Sequence, residues 1–389
     1  MDLTINPAKL SGSITAIPSK SQAHRYLICA AFASTPTILI CPQTNQDIEA
    51  TAACLNALGA CITRSAEGYL IEPIRKLPNH AFLNCGESGS TLRFMLPIVG
   101  ALGVDAVFQL EGRLPQRPLS PLWEEMERMG CSLSRPTANT VRCIGKLRAG
   151  NYTIDGGVSS QYITGLLFAL SLIDGACELF VSGKIESQPY ITMTEEALSL
   201  FSAPHYRSPG QVIVEGDWSN GAFWVAAQML GSALSVHGLN AISVQGDRVV
   251  VDIAHQLLEC RSTVSAADIP DLVPILSVIA AANHGAVFTD VRRLRLKESD
   301  RVATVIEMIE NLGGKAESTE DTLTVYGTGL MGGTVNSHND HRIAMAAAIA
   351  ATVCTESVTI LGANAVDKSY PSFWEEYHRL GGNYEQHIR

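Results

Sequence analysis

Residues 55–62 read Leu-Asn-Ala-Leu-Gly-Ala-Cys-Ile, and this phrase decides the fold because related phrases return along the chain. It joins the end of an amphipathic helix, a glycine suited to a left-handed cap, and the alternating pattern of a strand. Gly59 and Gly130 lie roughly 70 residues apart in such phrases, and so do Gly313 and Gly381. This spacing indicates a supersecondary unit that is repeated about six times along the chain.

Two further copies of the phrase are degenerate, near residues 197–205 and 254–261. A second kind of helix lies between the copies and runs through small apolar residues, which is typical of a buried helix. We expect two domains, with a break near residues 211–217, because a Pro-Gly pair precedes a strand there and a glycine follows it. The buried helices are predicted at residues 26–33, 163–172 and 343–351.

The composition argues against several classes of function. The chain has 389 residues, of which 46% are hydrophobic and 17% are charged, and this is enough to build the cores of two domains. A net charge of -10 without a basic tract argues against nucleic acid as a partner. No apolar run reaches the length of a membrane span, and the first residues lack the layout of a secretory signal, so we expect a cytoplasmic protein.

The cysteines and histidines predict neither disulfides nor a metal site. Ten cysteines without a C-x-x-C pair, in so long a chain, are typical of buried thiols in a reducing compartment. The ten histidines show no ligand spacing with carboxylates or cysteines. The sequence also contains no Walker loop, no dinucleotide-binding glycine motif and no nucleophile elbow.

Four polar motifs stand directly before apolar, helix-like runs. A helix start offers unpaired N–H groups and a partial positive charge, and it therefore attracts anions. Four such starts, each with its own side-chain donors, favour the binding of one or two polyanionic small molecules. Each motif alone also fits ordinary helix capping. The motifs occupy residues 19–25, 86–93, 159–162 and 339–342.

Three further stretches carry charges suited to catalysis or to anion binding. The loop at 113–118 holds two arginines stiffened by prolines, although exposed loop arginines are common. Asp271 precedes an all-apolar helix, where burial would raise its pKa and suit it to accept a proton, unless it only caps the helix. The dense charge run at 292–301 places Lys297 and Glu298 where a strand meets a helix, although such runs are usually solvated faces.

Together these motifs resemble the family of 5-enolpyruvylshikimate-3-phosphate synthases, the EPSP synthases. They occur in the order typical of that family and cover nearly the whole chain, so their combination is far more specific than any single motif. The motifs that carry the resemblance lie at residues 18–21, 86–93, 117–118, 159–161, 189–191, 270–274, 296–301, 340–342 and 367–371.

The resemblance implies a fold. It predicts an α/β (α+β) chain in the form of a two-domain inside-out barrel with six βαβαββ repeats, three in each domain. The central domain would span residues 17–215, and the second domain would combine residues 1–16 with residues 216–389. The active site would then lie in a cleft between the domains, and the two crossovers would form a hinge.

The resemblance also implies a reaction. The enolpyruvyl group of phosphoenolpyruvate is transferred to the 5-hydroxyl of shikimate 3-phosphate, with release of phosphate, in the biosynthesis of aromatic amino acids. The intermediate is tetrahedral, and neither a cofactor nor a metal takes part. We therefore expect a monomeric cytoplasmic transferase with two small-molecule substrates, and we expect neither nucleic acid nor a membrane as a partner.

By the same resemblance, the motifs supply the site residues. Asp271 would accept the 5-hydroxyl proton, while Glu298 and Lys20 would exchange protons at the enol methylene and at the leaving phosphate. Shikimate 3-phosphate would be bound by Ser21, Arg25, Ser159, Ser160, Gln161, Ser187, Asp271 and Lys297. Phosphoenolpyruvate would be bound by Lys20, Gly89, Arg117, Gln161, Arg301, His341, Arg342 and Lys368.

The chain departs from the family pattern at four places. His24 and Arg293 stand where asparagine is found in members of the family. Gln188 stands where lysine is common, which weakens one expected contact to shikimate 3-phosphate. After Leu200 the chain lacks a hairpin that members commonly carry. No transferred catalytic residue falls in that gap, so the departure affects the fold more than the function.

Two other functions compete with this interpretation. The sister enzyme, UDP-N-acetylglucosamine enolpyruvyl transferase, normally shows Lys-Asn where this chain has Lys20-Ser21. It also carries a reactive cysteine in the loop that corresponds to residues 113–118, where this chain has none. A non-catalytic binding protein built from the same repeats is the other alternative. Such a protein would tolerate the loss of Lys20 or Glu298.

Overall fold

The computed structural model describes residues 1–387, which form two compact units. The central unit comprises Pro18–Glu215, and the terminal unit comprises Met1–Ile17 together with the described residues that follow the central unit. We expected residue 17 in the central domain, but it belongs to the terminal unit. The reason is that its side chain is buried in the terminal core and its carbonyl accepts a 2.7 Å hydrogen bond from the backbone of Asp217.

The secondary structure alternates helices with short strands. In chain order, the strands are β1 (Asp2–Asn6), β2 (Ser11–Thr15), β3 (Thr37–Ile40), β4 (Cys61–Arg64), β5 (Gly68–Glu72), β6 (His80–Asn84), β7 (Asp105–Gln109), β8 (Cys131–Ser134), β9 (Thr140–Gly145), β10 (Gly150–Asp155), β11 (Cys177–Ser182), β12 (Gln211–Ile213), β13 (Ala233–His237), β14 (Ser262–Ser265), β15 (Gly285–Thr289), β16 (Lys315–Ser318), β17 (Thr322–Tyr326), β18 (Gly333–Asn336), β19 (Val358–Leu361) and β20 (Asn383–His387). The α-helices are α1 (Lys20–Ala31), α2 (Gln46–Ala57), α3 (Gly89–Leu102), α4 (Leu122–Arg128), α5 (Ser160–Leu170), α6 (Gln188–Leu200), α7 (Trp218–Met229), α8 (Val250–Glu259), α9 (Val273–Ala282), α10 (Arg301–Asn311), α11 (His341–Ala350) and α12 (Phe373–Arg379). Short 3-10 helices lie at Leu114–Gln116, Gly246–Val249, Arg292–Leu296 and Ala363–Lys368.

Within residues 1–387, four sheets of four strands share one topology. Their strand orders are β12-β3-β5-β4, β6-β7-β9-β8, β14-β15-β17-β16 and β18-β19-β1-β20. In each sheet the first two strands pair in parallel and the remaining pairs are antiparallel. A parallel pair needs a crossover connection, and this is where the buried helices α3, α9 and α11 lie.

The two remaining sheets of the described chain, β10-β11 and β13-β2, have only two parallel strands each. They occur at the two degenerate copies of the repeat. Here α6 ends at Leu200 and α8 ends at Glu259, and each helix is followed by the first strand of another sheet without an intervening hairpin. The hairpin expected after Leu200 in members of the family is therefore absent from this fold.

Each unit has its own hydrophobic core, and the helices at the centre of these cores are apolar on nearly every face. Every residue of α11 is buried, as are the residues of α9 up to residue 281. Close packing of α3 against α5 depends on Gly165, because a Cβ atom at this position would lie 2.1 Å from the carbonyl oxygen of Arg93. This contact places Arg93 of α3 beside the first turns of α5.

The cysteines of the described chain are all free, but they are not all buried. Cys61 and Cys260 are exposed and Cys177 is partly exposed, so the prediction of uniformly buried thiols was wrong for these three. Each of them lies in or beside a short strand at a sheet edge, where one face points outward. Within residues 1–387 no helix is both long and apolar enough to span a membrane.

Candidate active-site clusters

Three buried helices of the central unit begin at the predicted polar motifs. α1 begins at Lys20, α3 at Gly89 and α5 at Ser160. The serines before α3 and α5, Ser88 and Ser159, act as N-caps because their hydroxyls accept hydrogen bonds from backbone N–H groups of the first turn. Capping and anion binding are compatible here, since a helix start has four unpaired N–H groups and a cap satisfies only one or two of them.

Lys20 makes an ion pair with a carboxylate that the sequence did not single out. Its Nζ lies 2.8 Å from Oδ2 of Asp47, and both side chains are about one-sixth exposed. Asp47 lies in the first turn of α2, where acidic residues are common because they favour the positive end of the helix dipole. The sequence offered that ordinary explanation, which is why the pair with Lys20 was missed.

Arg25 is buried and held by acceptors of the protein itself. Its Nε donates to the hydroxyl of Thr194, its Nη1 to the carbonyl of Ser21, and its Nη2 to the carbonyl of Tyr190 and the hydroxyl of Thr164. Burial lowers the pKa of Arg25 to about 10, so the guanidinium remains charged at neutral pH. These bonds join the first two turns of α1, α5 and α6 around one cation.

Two guanidinium groups lie against Gly89. A Cβ atom added at Gly89 would lie 2.6 Å from Nη1 of Arg93 and 2.8 Å from Nη1 of Arg117. Arg93 Nη1 also donates to Oε1 of Gln161 at 2.8 Å, and the amide Nε2 of Gln161 donates to the hydroxyl of Ser90 at 3.0 Å. The structure thus brings together three predicted residues, Gly89, Arg117 and Gln161, and adds Arg93 to them. Two cations beside the first turn of α3 form a candidate site for a phosphate or a carboxylate.

His24, which replaces the asparagine of the family pattern, links three helices. Its Nδ1 lies 2.7 Å from the hydroxyl of Thr51 on α2, and Thr51 lies 2.7 Å from the hydroxyl of Thr91 on α3. Burial lowers the pKa of His24 well below its ordinary value, and the charges of Lys20 and Arg25 lower it further. His24 is therefore a neutral residue whose hydrogen bond holds α1 against α2. This contact lies one helical turn after the ion pair between Lys20 and Asp47.

The other residues predicted to bind shikimate 3-phosphate also lie at helix starts of the central unit. Ser160 and Ser187 are buried, whereas Ser21 and Ser159 are half-buried. Ser187 precedes α6 and has a positive φ of 58°, an uncommon conformation for a residue other than glycine. The first turn of α6 contains Tyr190, whose carbonyl accepts the 2.7 Å hydrogen bond from Arg25, so these helix starts are joined through that arginine.

In the terminal unit, Arg301 lies at the centre of three carboxylates. Its side chain is only 1% exposed, and its nitrogens donate to Asp340, Glu298 and Asp271. Burial alone would lower the pKa of Arg301, but the three carboxylates raise it well above the ordinary value. Arg301 lies in the first turn of α10, and Asp340 also caps α11 by accepting a hydrogen bond from the backbone of Arg342. The capping interpretation of Asp340 was therefore correct, but it was incomplete.

The expectation of a raised pKa for Asp271 was wrong. Burial does act to raise its pKa, but Lys297, Arg301 and Arg342 together lower it below the ordinary value. Nζ of Lys297 lies 3.8 Å from Oδ1 of Asp271, and Nη2 of Arg342 lies 3.6 Å from Oδ2. The sequence showed the apolar helix that follows Asp271, but it did not show that three cations from distant segments surround the carboxylate. Asp271 is therefore ionised, as a proton acceptor must be.

Lys297 and Glu298 flank this network at the end of a 3-10 helix, Arg292–Leu296, so the prediction of a strand before them was wrong. Burial lowers the pKa of Lys297 to about 8, although Asp271 acts in the opposite direction. Glu298 accepts a 2.7 Å hydrogen bond from Nη2 of Arg301 and keeps a quarter of its side chain exposed. The predicted residues Asp271, Lys297, Glu298, Arg301 and Arg342 are thus brought into one cluster, which we call the terminal cluster.

Arg342 donates hydrogen bonds to α7, a helix that the sequence did not indicate as part of the site. Its Nη1 donates to the carbonyl of Ser219 at 2.7 Å, and its Nη2 donates to the hydroxyl of Ser219 at 2.6 Å. Close by in sequence, His341 is buried, and Nζ of Lys368 donates to the carbonyl of Asn339 at 2.8 Å. The two residues before Asp340 both have positive φ angles, of 49° and 58°, and this turn sets the direction in which α11 begins.

The start of α7 repeats the pattern of the other helix starts. Asp217 caps the helix by accepting a hydrogen bond from the backbone of Asn220, and Ser219 lies between them. The sequence Asp-Trp-Ser-Asn-Gly-Ala at residues 217–222 is a polar motif followed by small apolar residues, the same signal that identified the four predicted motifs. Applied consistently, that signal would have identified Ser219.

Comparisons with known proteins decide the family. A family model described as EPSP synthase (3-phosphoshikimate 1-carboxyvinyltransferase) matches residues 5–377. The chain belongs to the EPSP synthase family. It is 35% identical over 421 residues to a 3-phosphoshikimate 1-carboxyvinyltransferase of Clostridium kluyveri, covering 99% of this chain and 98% of that protein. It is 36% identical over 415 residues to the protein of the same name from Clostridium acetobutylicum, covering 97% of each.

The fold is also that of a solved EPSP synthase. The structure of the enzyme from Acinetobacter baumannii superposes with a TM-score of 0.79 at 20% sequence identity, covering 100% of each chain. The alignment with the relative from Clostridium kluyveri extends over 421 residues, more than the 389 of this chain. The alignment with that relative therefore contains positions that have no counterpart in this chain.

Within residues 1–387, no group of three or more His, Cys, Asp or Glu side chains is arranged to hold a metal ion. The terminal cluster does bring three carboxylates together, but each of them is already paired with a guanidinium or ammonium group of the protein.

Proposed function

We propose that this protein transfers the enolpyruvyl group of phosphoenolpyruvate to the 5-hydroxyl of shikimate 3-phosphate, with release of phosphate. Membership of the EPSP synthase family over residues 5–377 supports this reaction. The structural observation that carries it is the terminal cluster, in which an ionised carboxylate, Asp271, is surrounded by three cations. This arrangement combines a proton acceptor with binding groups for anionic reactants.

The cations of the two units outnumber the negative charges of the two substrates. Counting roughly two negative charges for each phosphate monoester and one for each carboxylate, the substrates carry about five. The central unit supplies Lys20, Arg25, Arg93 and Arg117, and the terminal unit supplies Lys297, Arg301, Arg342 and Lys368. Several of these cations are already paired with carboxylates of the protein, so the excess of positive charge that remains is close to what the substrates need.

Asp271 is proposed as the acceptor of the 5-hydroxyl proton. Its pKa is lowered by Lys297, Arg301 and Arg342, and these are residues to which we assign the substrates. Substrate anions that bind these cations would weaken their hold on the carboxylate, and the pKa of Asp271 would rise. The carboxylate would thereby become a stronger base when the substrates are bound.

Lys20 and Glu298 are proposed to move the other two protons. Lys20, as an ammonium group paired with Asp47, can donate to a phosphate oxygen when phosphate leaves. Glu298 accepts a 2.7 Å hydrogen bond from Arg301 and keeps a quarter of its side chain exposed, and it would exchange a proton with the enol methylene. The two groups lie in different units of the fold.

The binding roles implied by the resemblance stand as part of the same proposal. Ser21, Arg25, Ser159, Ser160, Gln161, Ser187, Asp271 and Lys297 would bind shikimate 3-phosphate. Lys20, Gly89, Arg117, Gln161, Arg301, His341, Arg342 and Lys368 would bind phosphoenolpyruvate. We propose that the enzyme acts as a monomer in the cytoplasm, with the central unit and the terminal unit as its two domains. Sedimentation analysis of the purified protein tests the monomer.

A phosphate-release assay tests the proposed reaction. Purified protein is incubated with phosphoenolpyruvate together with either shikimate 3-phosphate or UDP-N-acetylglucosamine. Release with the former and none with the latter is the expected result, and the opposite pattern would favour the sister enzyme. The variants Lys20→Met and Glu298→Gln separate a catalyst from a binding protein. We expect both to lose at least about a hundredfold in rate, the typical contribution of a positioned acid or base.

A further inference from the structure

A row of buried hydroxyl groups lies between the first turns of α2 and α3. Oγ1 of Thr51 on α2 lies 2.7 Å from Oγ1 of Thr91 on α3, and the hydroxyl of Thr91 donates to Oγ of Ser88 at 2.8 Å. Thr51 and Thr91 are fully buried, and Ser88 is only 1% exposed. Polar groups that are shielded from water are costly unless they are paired, so this row is stable only with all of its members in place.

His24 gives the row a single direction. Its Nδ1 lies 2.7 Å from Oγ1 of Thr51, whereas its buried Nε2 has no hydrogen-bond partner among the described residues. The hydroxyl of Thr91 uses its one proton as a donor, so its oxygen accepts from Thr51, and Thr51 in turn accepts from the ring of His24. A neutral ring with its proton on Nδ1 therefore satisfies every donor from His24 to Thr91.

One end of the row lies at the start of α3. Ser88 is the N-cap of this helix, and its hydroxyl also accepts a 3.3 Å hydrogen bond from the backbone N–H of Thr91. Gly89 follows directly, and the guanidinium groups of Arg93 and Arg117 lie against it. This turn is the candidate site for a phosphate or a carboxylate, and we call it the anion site. Thr91 thus holds the residue at which the anion site begins.

The row also reaches the ion pair of Lys20. Asp47 makes both contacts, because its carboxylate lies 2.8 Å from Nζ of Lys20 and its backbone carbonyl lies 3.4 Å from the hydroxyl of Thr91. Lys20 and His24 lie one turn apart on α1, and Asp47 and Thr51 lie one turn apart on α2. Two contacts on one face therefore tie α1 to α2, and the hydroxyl of Thr91 ties both helices to the start of α3.

We propose that Thr91 is a positioning residue that holds the anion site at the correct distance from the ammonium group of Lys20. This inference rests on the proposed function, in which phosphoenolpyruvate binds beside Gly89 and Lys20 donates a proton to its leaving phosphate. Thr91 is buried and acts through Ser88 and Asp47, not by contact with a substrate. Proton transfer needs the donor within hydrogen-bond reach of the acceptor, and a displacement of about 1 Å can lower a rate about a hundredfold.

The matched variants Thr91→Val and Thr91→Ser test this inference. Valine keeps the shape of the side chain and removes the hydroxyl, whereas serine keeps the hydroxyl and removes the methyl group. Initial rates of phosphate release give kcat and the KM for each substrate. We expect Thr91→Val to lower kcat/KM for phosphoenolpyruvate roughly 10- to 100-fold, and Thr91→Ser to stay close to wild type. The KM for shikimate 3-phosphate should change little, because Arg25 keeps its own hydrogen bonds in both variants.

The control is Thr37→Val, which removes a comparable hydroxyl away from the candidate site. Thr37 is the first residue of β3, is only 1% exposed, and its Oγ1 lies 2.7 Å from the hydroxyl of Ser208. Thr37→Val and Thr91→Val should both lower the Tm, by roughly 2 to 4 °C for the loss of one hydrogen bond. Only Thr91→Val should change the kinetics, so the comparison separates a loss of stability from a loss of positioning.

A second pair of variants serves if Thr91→Val fails to fold. Thr51→Val removes the same hydrogen bond from the side of α2, and Thr51→Ser retains it. Thr51→Val should lower kcat/KM for phosphoenolpyruvate, and Thr51→Ser should restore it. Where both valine variants fold, their combined effect should be less than the product of the single effects, because each removes the same contact.

The outcomes separate this inference from the proposed function. Absence of phosphate release by the wild-type protein would contradict the function, and the inference would fall with it. With an active wild type, unchanged kinetics in Thr91→Val would overturn the role of Thr91 and leave the function intact. The same conclusion would follow if Thr91→Ser were as impaired as Thr91→Val, or if Thr37→Val lost as much activity, since packing or stability would then explain the loss.

Discussion

Replacement of Gly89 by alanine should weaken phosphoenolpyruvate binding without much effect on the fold. The new Cβ atom would lie 2.6 Å from Nη1 of Arg93 and 2.8 Å from Nη1 of Arg117. An unstrained contact needs about 3.5 Å, so the two guanidinium groups must move by roughly 0.7 to 0.9 Å. Both obstructing groups are ends of flexible side chains, and Gly89 lies within a helix at an ordinary φ, so the cost in the free energy of unfolding should be small.

The displaced guanidinium groups determine the size of the effect on binding. A hydrogen bond to a charged group contributes about 1.5 to 3 kcal/mol, and each 1.4 kcal/mol changes an affinity tenfold. Loss of one such bond should therefore raise the KM for phosphoenolpyruvate about 10- to 100-fold. The KM for shikimate 3-phosphate should change less, because the atoms nearest to the new Cβ atom belong to Arg93 and Arg117 and not to Arg25 or Ser160.

The assay for Gly89→Ala is initial-rate phosphate release with each substrate varied in turn, alongside thermal unfolding. A double-mutant cycle with Arg93→Lys tests the steric cause. The lysine end is slimmer and should reduce the clash with the new Cβ atom, so the effects of the two substitutions on the KM for phosphoenolpyruvate should be less than additive. An unchanged KM for phosphoenolpyruvate, or an equal rise for both substrates, would refute the placement of Arg93 and Arg117 beside a bound anion.

Two predictions concern stability as a function of pH. Asp271→Asn should destabilise the protein by roughly 3 kcal/mol at pH 7, because the cations around Asp271 lose a carboxylate that compensates their charge. This loss of stability should become smaller as the pH falls below about 4, because the wild-type carboxylate then loses its own stabilising contribution. Urea unfolding at pH 7, 5 and 3.5 measures this, and a deficit independent of pH would contradict the low pKa of Asp271. His24→Leu should cost about 0.5 to 1.5 kcal/mol at pH 8 through loss of the hydrogen bond to Thr51. That deficit should diminish below pH 6.5, since only the wild-type unfolded chain then takes up a proton at this position, and a constant deficit would mean that His24 is not held neutral in the fold.

The parts of the fold that depend on local sequence were predictable. Buried helices at α1, α5 and α11 followed from runs of small apolar residues after a polar start, and the left-handed caps followed from glycines such as Gly59 and Gly381. The degenerate copies of the repeat coincide with α6 and α8, where the structure has no hairpin. These features depend on residues close together in the chain, so the periodic pattern of apolar residues predicts them.

The electrostatics of the site depend on residues that are distant in sequence, and the prediction failed there. Asp271 seemed to face only apolar neighbours, because Lys297 and Arg342 reach it from other segments. Asp47 remained unnoticed for the same reason, since an acid in a helix's first turn has a sufficient local explanation. The resemblance to the EPSP synthases supplied binding residues, but it did not supply the partners that set their pKa values.

The most direct test of the account is a crystal structure of the protein with shikimate 3-phosphate and phosphate bound. The central claim is that the helix starts of the central unit and the terminal cluster act on the same molecules. We predict that one bound shikimate 3-phosphate is contacted both by Ser160 of the central unit and by Lys297 of the terminal unit. A ligand held by one unit alone, with Asp271 remote from the 5-hydroxyl, would contradict it.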